Sequence, residues 1–204
     1  MRRAARAGFT LLEMLLTITL LSMIIGSIVG GLHLGRRAWE TGRSYESVGE
    51  IEEASRAIAD QLARAFSILL IKNGGSQVVA FEGQPEGCRF LALSEGEAQW
   101  GGLILTEIAP ADSPADEIAI WTRVYRPAEG LSAPRESMRK TSALRDAAYF
   151  RLSYFGEIQN GRPPVWSDRW IDRALLPQLV AVHIGGRSGG RIVDVSFTVA
   201  LPQR

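Results

Sequence analysis

Cysteine, histidine and net charge are all scarce in this chain of 204 residues, and each shortage argues against a class of protein. The single cysteine, Cys88, excludes an intrachain disulfide and a cysteine-rich zinc site. Twenty-three Lys and Arg residues nearly balance 22 Asp and Glu residues, so the formal net charge is only +1. Because nucleic-acid-binding proteins usually carry a basic surface, we expect no nucleic acid among the partners.

Histidine is the commonest general base in enzymes, and the chain has only two. His33 lies in an apolar segment, and His183 lies in a predicted strand. We therefore expect a non-catalytic protein without a cofactor, and a membrane-anchored periplasmic enzyme is the alternative from a different class.

Charge is absent altogether from residues 14–35, a run of 22 positions of which 13 are Met, Leu, Ile or Val. At about 1.5 Å per residue a helix of this length covers roughly 33 Å, which matches a bilayer core of about 30 Å. A cleaved secretory signal is the alternative, but its apolar core is typically about 7–15 residues long. The run therefore predicts a helix that spans a membrane and is retained.

Glu13 stands at the edge of this apolar run. A carboxylate at mid-membrane depth costs on the order of 2.5–3.5 kcal/mol and is normally paired or functional. Position alone leaves two interpretations open, one with Glu13 at the membrane interface and one with Glu13 paired inside the membrane.

The stretch Gly8-Phe9-Thr10-Leu11-Leu12-Glu13 follows a short basic leader. It resembles the class III signal of type IV pilins and of the type II secretion pseudopilins. This resemblance implies that a prepilin peptidase cuts between Gly8 and Phe9, removes residues 1–8 and methylates the new amino terminus at Phe9. It also implies that Glu13, the fifth mature residue, neutralises the amino terminus of a neighbouring subunit during assembly.

The leader carries three arginines, whose removal changes the net charge from +1 to −2 in a mature chain of 196 residues. Arg36, Arg37 and Arg43 on the other side of the apolar run match them in number, so the positive-inside rule does not decide the orientation. The pilin resemblance implies that the leader is cytoplasmic, that residues 9–35 cross the bacterial inner membrane once, and that the remaining domain is periplasmic.

Residues 36–71 predict an amphipathic continuation of the helix, because apolar residues recur every three or four positions. These positions are Tyr45, Val48, Ile51, Ala54, Ile58, Leu62, Ala65, Phe66 and Leu69. Residues 9–71 are therefore read as one long helix or two nearly collinear ones, stopped by Lys72 to Gly75. Packing on its own domain is favoured for this stripe, and a coiled-coil or partner-binding helix is the alternative.

Residues 72–204 predict a β-rich domain, because short alternating runs are separated by Gly and Pro. The predicted strands are Val78–Phe81, Arg89–Leu93, Leu103–Ile108, Glu117–Val124, Tyr149–Phe155, Leu179–Ile184 and Ile192–Leu201. Residues 185–190 are expected to form a hairpin loop, and residues 126–146 a long exposed loop. The fold class is therefore α+β, a pilin-like fold with a long N-terminal helix packed on an antiparallel sheet.

Trp170, Leu176-Pro177 and the following strand pair are similar to the end of the J-type minor pseudopilins of type II secretion. This resemblance implies a low-copy subunit at the pseudopilus tip, with I-type and K-type minor pseudopilins and the major pseudopilin as partners. Many major pilins have a proline in the membrane helix, but this chain has none from Phe9 to Gln84. A minor pilin of a type IV pilus or competence system is the alternative within the class.

Asp112, Asp116 and Glu117 form an acidic group that could offer oxygens to a calcium ion. A solvated loop without metal is the favoured interpretation, because EF-hand spacing is absent. The aromatic residues of the β-rich domain leave core packing and a partner surface both open. These are Trp100, Trp121, Tyr154, Phe155, Trp166 and Trp170.

Overall fold

A computed structural model of the protein describes residues 11–71, 75–94, 102–112, 116–158, 161–188 and 190–203, with side chains for all of these except 33–48 and 188. The chain divides into two compact units, Met1–Tyr45 and Glu46–Arg204.

One α-helix, α1, runs over Leu11–Ala63. Within the first unit, residues Leu11–Leu32 are long and apolar enough to cross a membrane, and all of their side chains are exposed. No proline interrupts α1, so its backbone hydrogen bonding continues through the apolar part. Because a helix satisfies its own backbone groups, this segment suits a lipid environment.

In the second unit, α1 buries one face against its own domain. Ile51, Ala54, Ile58 and Leu62 are all at most 2% exposed. Their spacing of three and four residues is the stripe expected from the sequence, and packing on its own domain is confirmed for this part of it.

The predicted helix end at residue 71 is wrong, because α1 ends at Ala63. The backbone N–H of Phe66 donates to the carbonyl oxygen of Leu91 at 2.8 Å, and Ala65 forms a β-bridge with Ala92. A neighbouring strand thus takes up backbone groups that a longer helix would use itself. The proposed stop at Lys72 to Gly75 falls largely outside the described residues.

Eleven strands are found in the described residues, and all of their pairings are antiparallel. They are β1 (Leu69–Ile71), β2 (Gln77–Val79), β3 (Phe81–Gln84), β4 (Gly87–Leu93), β5 (Leu103–Pro110), β6 (Ile118–Val124), β7 (Arg139–Leu144), β8 (Ala147–Gly156), β9 (Val165–Ser167), β10 (Leu179–Ser188) and β11 (Arg191–Ala200). The sheets have the orders β1-β2, β3-β4-β5-β6-β7 and β11-β10-β8-β9.

The main core of the second unit joins α1 to both larger sheets. Its largest fully buried side chains include Phe81, Phe90, Tyr154 and Trp170. Phe81 stacks on Phe90 and meets the edge of Tyr154, with ring centroids 5.8 Å apart in both pairs. The α+β prediction, with one long N-terminal helix followed by antiparallel sheets, is confirmed.

A smaller core lies on the other face of the five-stranded sheet, under a segment that we call the covering segment, residues 125–138. It contains two 3₁₀ turns, Pro127–Glu129 and Arg135–Ser137, and buries Leu131, Ala133 and Met138. The prediction of an exposed loop over residues 126–146 is therefore wrong. The loop expected at residues 185–190 is also shorter than predicted, because β10 continues until Ser188 pairs with Arg191.

Candidate assembly site

The assembly residues expected from the sequence belong to the N-terminal part of the chain. Gly8 and Phe9 fall outside the described residues. Glu13 lies in the first turn of α1, on the exposed apolar segment Leu11–Leu32. It is the only ionisable residue in that segment.

The hydroxyl groups of this segment are all satisfied within α1. Each donates a hydrogen bond of 2.8–2.9 Å to a carbonyl oxygen three or four residues earlier. The donors are Thr17, Thr19, Ser22 and Ser27. Such back-bonding hides these hydroxyls from an apolar solvent. Glu13 is therefore the side chain in this segment that lipid would tolerate least.

Small residues also mark the segment. Added Cβ atoms at Gly26, Gly30 and Gly31 would meet nothing within 4 Å. Packing within this chain therefore does not require glycine at these positions. In membranes, glycines four residues apart allow a second helix to approach closely.

The second unit holds an ionic network on the outer face of the five-stranded sheet. The carboxylate of Glu107 is only 9% exposed and accepts hydrogen bonds from the guanidinium groups of Arg89 and Arg135. Arg89 also donates to the carbonyl oxygen of Leu131 at 2.8 Å. Arg135 lies 4.5 Å from the ring centre of Trp121. The network thus ties the covering segment to strands β4, β5 and β6.

These contacts also favour the charged form of Arg135. Burial of Arg135 opposes its charge, but the hydrogen bonds to Glu107 and then to Asp112 raise the pKa of its guanidinium above the ordinary value. Nothing in the sequence marked Glu107 for this role, because an acidic residue in an alternating strand normally faces water.

The acidic group considered for calcium does not converge on one point. Asp112 pairs with Arg135 at 3.1 Å, Glu117 with Lys140, and Asp116 with Arg187 at 3.8 Å. No cluster of three metal-ligating side chains occurs among the described residues, which exclude 113–115. In this arrangement the carboxylates are occupied by cationic side chains of the protein itself.

A cavity of about 550 Å³ adjoins the network. Among the residues that line it are Glu82, Glu86, Cys88, Glu107 and Arg135. Burial raises the pKa of the Cys88 thiol far above its usual range, and the charge of Glu107 acts in the same direction. The thiol therefore stays protonated, and it is a poor nucleophile and a poor metal ligand.

Two short patterns known from serine enzymes occur in the chain, but neither has the surroundings that the chemistry needs. Gly-x-Ser-x-Gly matches residues 186–190, of which Gly186 to Ser188 lie at the end of strand β10 and not at a strand-to-helix turn. Ser-x-x-Lys matches residues 137–140. There, Ser137 donates to the carbonyl of Pro134, and the Lys140 ammonium binds Glu117.

His183 lies on the exposed face of β10, where its Nδ1 is 2.9 Å from the hydroxyl of Ser196 on β11. Among the described residues, no carboxylate hydrogen-bonds to the imidazole. A nucleophile-base pair needs a third group that orients the base, and an exposed sheet surface does not exclude water. This pair therefore lacks the surroundings of a catalytic dyad.

Two of the residues that carry the finer J-type resemblance, Trp170 and Leu176, lie in the core. Trp170 is completely buried, its indole N–H donates to the carbonyl of Leu175 at 2.9 Å, and its backbone pairs with Gly83 of β3. Leu176 is also buried. Trp170 and Leu176 therefore contribute to the core and not to an exposed surface.

The aromatic residues of this domain divide between core and surface. Trp121, Tyr154 and Trp170 are buried, whereas Trp166 is 51% exposed and lies 5.2 Å from the ring of Phe155. Trp100 falls outside the described residues. Core packing therefore explains the three buried members.

Comparison with known proteins supports the predicted pilin-like signal at the N-terminal end. A family model, the prokaryotic N-terminal methylation motif, matches residues 3–29. No curated protein matches the chain. The matched region includes Gly8, Phe9 and Glu13 and the first part of α1. The chain thus carries a type IV pilin-like methylation signal at the beginning of an apolar helix that can anchor it in a membrane.

Proposed function

We propose that the protein is a non-catalytic, membrane-anchored subunit of a pilin-like assembly. The observation that carries this proposal is the methylation motif, which matches residues 3–29 and overlaps the exposed apolar segment Leu11–Leu32. A helix that is exposed and apolar on every side needs lipid or other helices around it. An assembly that starts in the membrane supplies both.

Processing is the first step of the proposed function. A prepilin peptidase cuts between Gly8 and Phe9 at the inner membrane, removes residues 1–8 and methylates the amino terminus of Phe9. The apolar helix is then kept, with the C-terminal domain in the periplasm.

Assembly is the second step, and Glu13 guides it. As the only ionisable residue of Leu11–Leu32, it gains from meeting the charged amino terminus of Phe9 in a neighbouring subunit. A misaligned neighbour does not bring the two opposite charges together, so the pair favours one register. The open surfaces at Gly26 and Gly30 allow the two helices to pack closely.

At a finer level, we assign the chain to the J-type minor pseudopilins of type II secretion. Its partners would be the I-type and K-type minor pseudopilins and the major pseudopilin, and its role would be to help start the pseudopilus that drives protein export. The support is the resemblance around Trp170 and Leu176-Pro177, together with the proline-free membrane helix. No cofactor is needed for this role.

The mass of the membrane-extracted protein tests the processing step. We expect the mass of residues 9–204 plus one methyl group. A chain that retains Met1, or one that begins beyond Gly31, contradicts the pilin class.

Replacement of Glu13 tests the assembly step. We expect Glu13→Leu to reduce co-purification with other pilin-like subunits and to leave the near-ultraviolet circular dichroism of the second unit unchanged. Thr17→Val is the matched control in the same segment, because the Thr17 hydroxyl bonds only within α1. Equal co-purification of Glu13→Leu and the parent protein overturns the charge-pair argument.

The neighbouring genes distinguish a role in type II secretion from a role in a pilus. Adjacent genes for I-type and K-type minor pseudopilins support the J-type assignment. Adjacent genes for pilus or DNA-uptake proteins replace it with a minor pilin, and the assembly mechanism is unaffected.

A further inference from the structure

Strand β7 is an edge of the five-stranded sheet, and a trough lies beside it. In the described part of the chain, β7 pairs with β6 alone. Its first four residues, Arg139 to Ser142, are exposed. Backbone N–H and C=O groups on the outer side of such an edge are available to an incoming strand.

The trough consists of two cavities that meet along the same edge. One, of about 320 Å³, lies between α1 and the later part of β7. The other, of about 390 Å³, lies between α1 and the earlier part of β7. Ala57, Ile120 and Thr141 line both, so the two cavities adjoin each other. We call this feature the edge trough.

The geometry of the edge trough matches the side-chain repeat of a β-strand. On β7, Arg139 lines only the earlier cavity and Ala143 only the later one, with Thr141 between them. Alternate residues of a strand point to the same face and lie about 6.6 Å apart. A strand added to β7 therefore directs alternate side chains toward the two cavities, which is the usual way in which an edge gains both affinity and specificity.

Charge indicates which side chain the later cavity prefers. Glu50 and Glu53 of α1 line it, and within the described residues neither forms an ion pair. Its one cationic lining residue, Arg145, also interacts with Glu117. The earlier cavity contains charges of both signs, from Asp60, Arg64 and Arg139. We therefore expect the later cavity to select for the charge of the partner's side chain.

We propose that the edge trough binds an extended segment of a partner protein, which adds as a strand to β7 and places a lysine or arginine between Glu50 and Glu53. This surface lies in the second unit and uses neither Glu13 nor the membrane segment. The binding is independent of the methylation signal and of helix assembly.

Short peptides test the proposal on the full chain in detergent micelles. The probes are labelled eight-residue peptides of alternating valine and threonine. One central residue, at either a valine position or a threonine position, is replaced by lysine, glutamate or alanine. We expect the best lysine peptide to bind about tenfold more tightly than its glutamate counterpart, judged by fluorescence anisotropy with empty micelles as the blank.

Substitutions on α1 locate the site. We expect the double variant Glu50→Gln, Glu53→Gln to weaken binding of the lysine peptide by about threefold to tenfold. Glu52→Gln is the matched control, because Glu52 is an exposed acid on α1 that pairs with Arg56 and does not line the trough. It should leave the affinity unchanged.

Backbone methylation of the peptide tests strand addition without changing the protein. Only every second N–H of an added strand points toward the edge. We therefore expect N-methylation of the alternate peptide amides that point toward β7 to abolish binding. N-methylation of the remaining alternate amides should leave binding largely intact.

Three results would overturn the proposal. One is equal binding of the lysine, glutamate and alanine peptides, or binding of none of them. Another is equal tolerance of both methylation sets. The third is a concentration-dependent dimer, measured by sedimentation, that excludes the lysine peptide, because the edge trough would then hold a second copy of this chain.

Discussion

At the scale of single residues, Gly83 shows how closely the two larger sheets approach. A Cβ atom at Gly83 would lie 2.4 Å from Cζ of Tyr154. The Tyr154 hydroxyl donates to the carbonyl of Gln84 at 2.8 Å, which holds the ring over β3. Any side chain at Gly83 must therefore displace a buried ring.

We expect Gly83→Ala to lower the free energy of unfolding by about 1–3 kcal/mol, the usual cost of overpacking a core. Thermal unfolding in detergent measures it. Gly49→Ala is the control, because a Cβ there meets nothing within 4 Å and a helical Gly→Ala change should stabilise by about 0.5–1 kcal/mol. If both variants unfold at the parental temperature, the packing of Tyr154 on Gly83 is not as described.

Glu117 makes stability depend on pH. The hydrogen bond from Lys140 lowers the pKa of this carboxyl below its ordinary value, although burial acts in the opposite direction. The folded state thus binds the proton less tightly than the unfolded state. Its stabilising contribution is complete above the unfolded pKa of about 4.3 and is lost as the pH falls through the lower folded pKa.

We therefore expect Glu117→Gln to be about 1.5–3 kcal/mol less stable than the parent protein at neutral pH, as for hydrogen bonds to charged groups. The difference should shrink as the pH falls through the folded pKa of Glu117. Chemical denaturation at a series of pH values measures it, with Glu136→Gln, an exposed acid of the covering segment, as the control. If the difference in stability between Glu117→Gln and the parent protein stays constant with pH, the substitution acts through packing and not through the charge of Glu117.

Sequence reasoning at this scale succeeded where a residue acts within its own segment. Ile51, Ala54, Ile58 and Leu62 follow from spacing along α1. Glu107 does not, because its burial depends on two arginines, Arg89 and Arg135, from separate parts of the chain. The alternation of side chains along β5 predicts the face of the sheet on which Glu107 lies. It does not predict which segment of the chain covers that face.

At the scale of elements, the covering segment is the main departure from expectation. Its apolar residues have neither a helical nor a strand period, so the polar composition of residues 126–146 predicted a loop. Leu131 and Met138 are nevertheless buried against Leu105 and Trp121. Strand β7 follows it as a short polar edge, a kind of strand that hydrophobic patterns detect poorly.

We expect Leu131→Ala to cost about 2–4 kcal/mol and to increase hydrogen exchange in residues 126–138. The reason is that Leu131 is 7% exposed and its carbonyl holds Arg89. Val124→Ala is the control, since Val124 is 73% exposed and its truncation should change stability by less than about 0.5 kcal/mol. Unchanged exchange in the segment would mean that its backbone contacts alone hold it.

Helix α1 shows the same limit of local patterns. Its buried stripe was predicted, but its end depends on Phe66 bonding to Leu91 of β4. The strands with strong alternation, such as β8 and β11, were found near their predicted bounds. Short strands such as β9, which has three residues, depend on a distant partner and were missed.

At the scale of the whole molecule, both buried cores lie in the unit Glu46–Arg204. The exposed apolar residues of Leu11–Leu32 contribute to neither core. We therefore expect a fragment of residues 46–204 to be monomeric without detergent and to unfold cooperatively, as judged by sedimentation and calorimetry. Aggregation of this fragment under conditions that keep the full chain folded would show that the second unit needs the first.

Processing should change the charge of the whole molecule. The three leader arginines give the precursor its net charge of +1 and a sequence pI of about 7.9, and without them the formal charge is −2. Methylation keeps the terminal amine protonatable, so it does not offset this change. We expect isoelectric focusing to separate a near-neutral precursor from an acidic mature form.

The control for this prediction is Gly8→Leu, which should block cleavage and leave only the precursor band. Because the change in charge comes from the lost arginines, blocking methylation alone should not move the mature band. A parent protein that focuses only at the precursor position, in cells that process other pilin-like proteins, would contradict cleavage between Gly8 and Phe9. Glu13 would then have no free α-amino group at Phe9 to meet, and the charge pair that sets the register of assembly could not form.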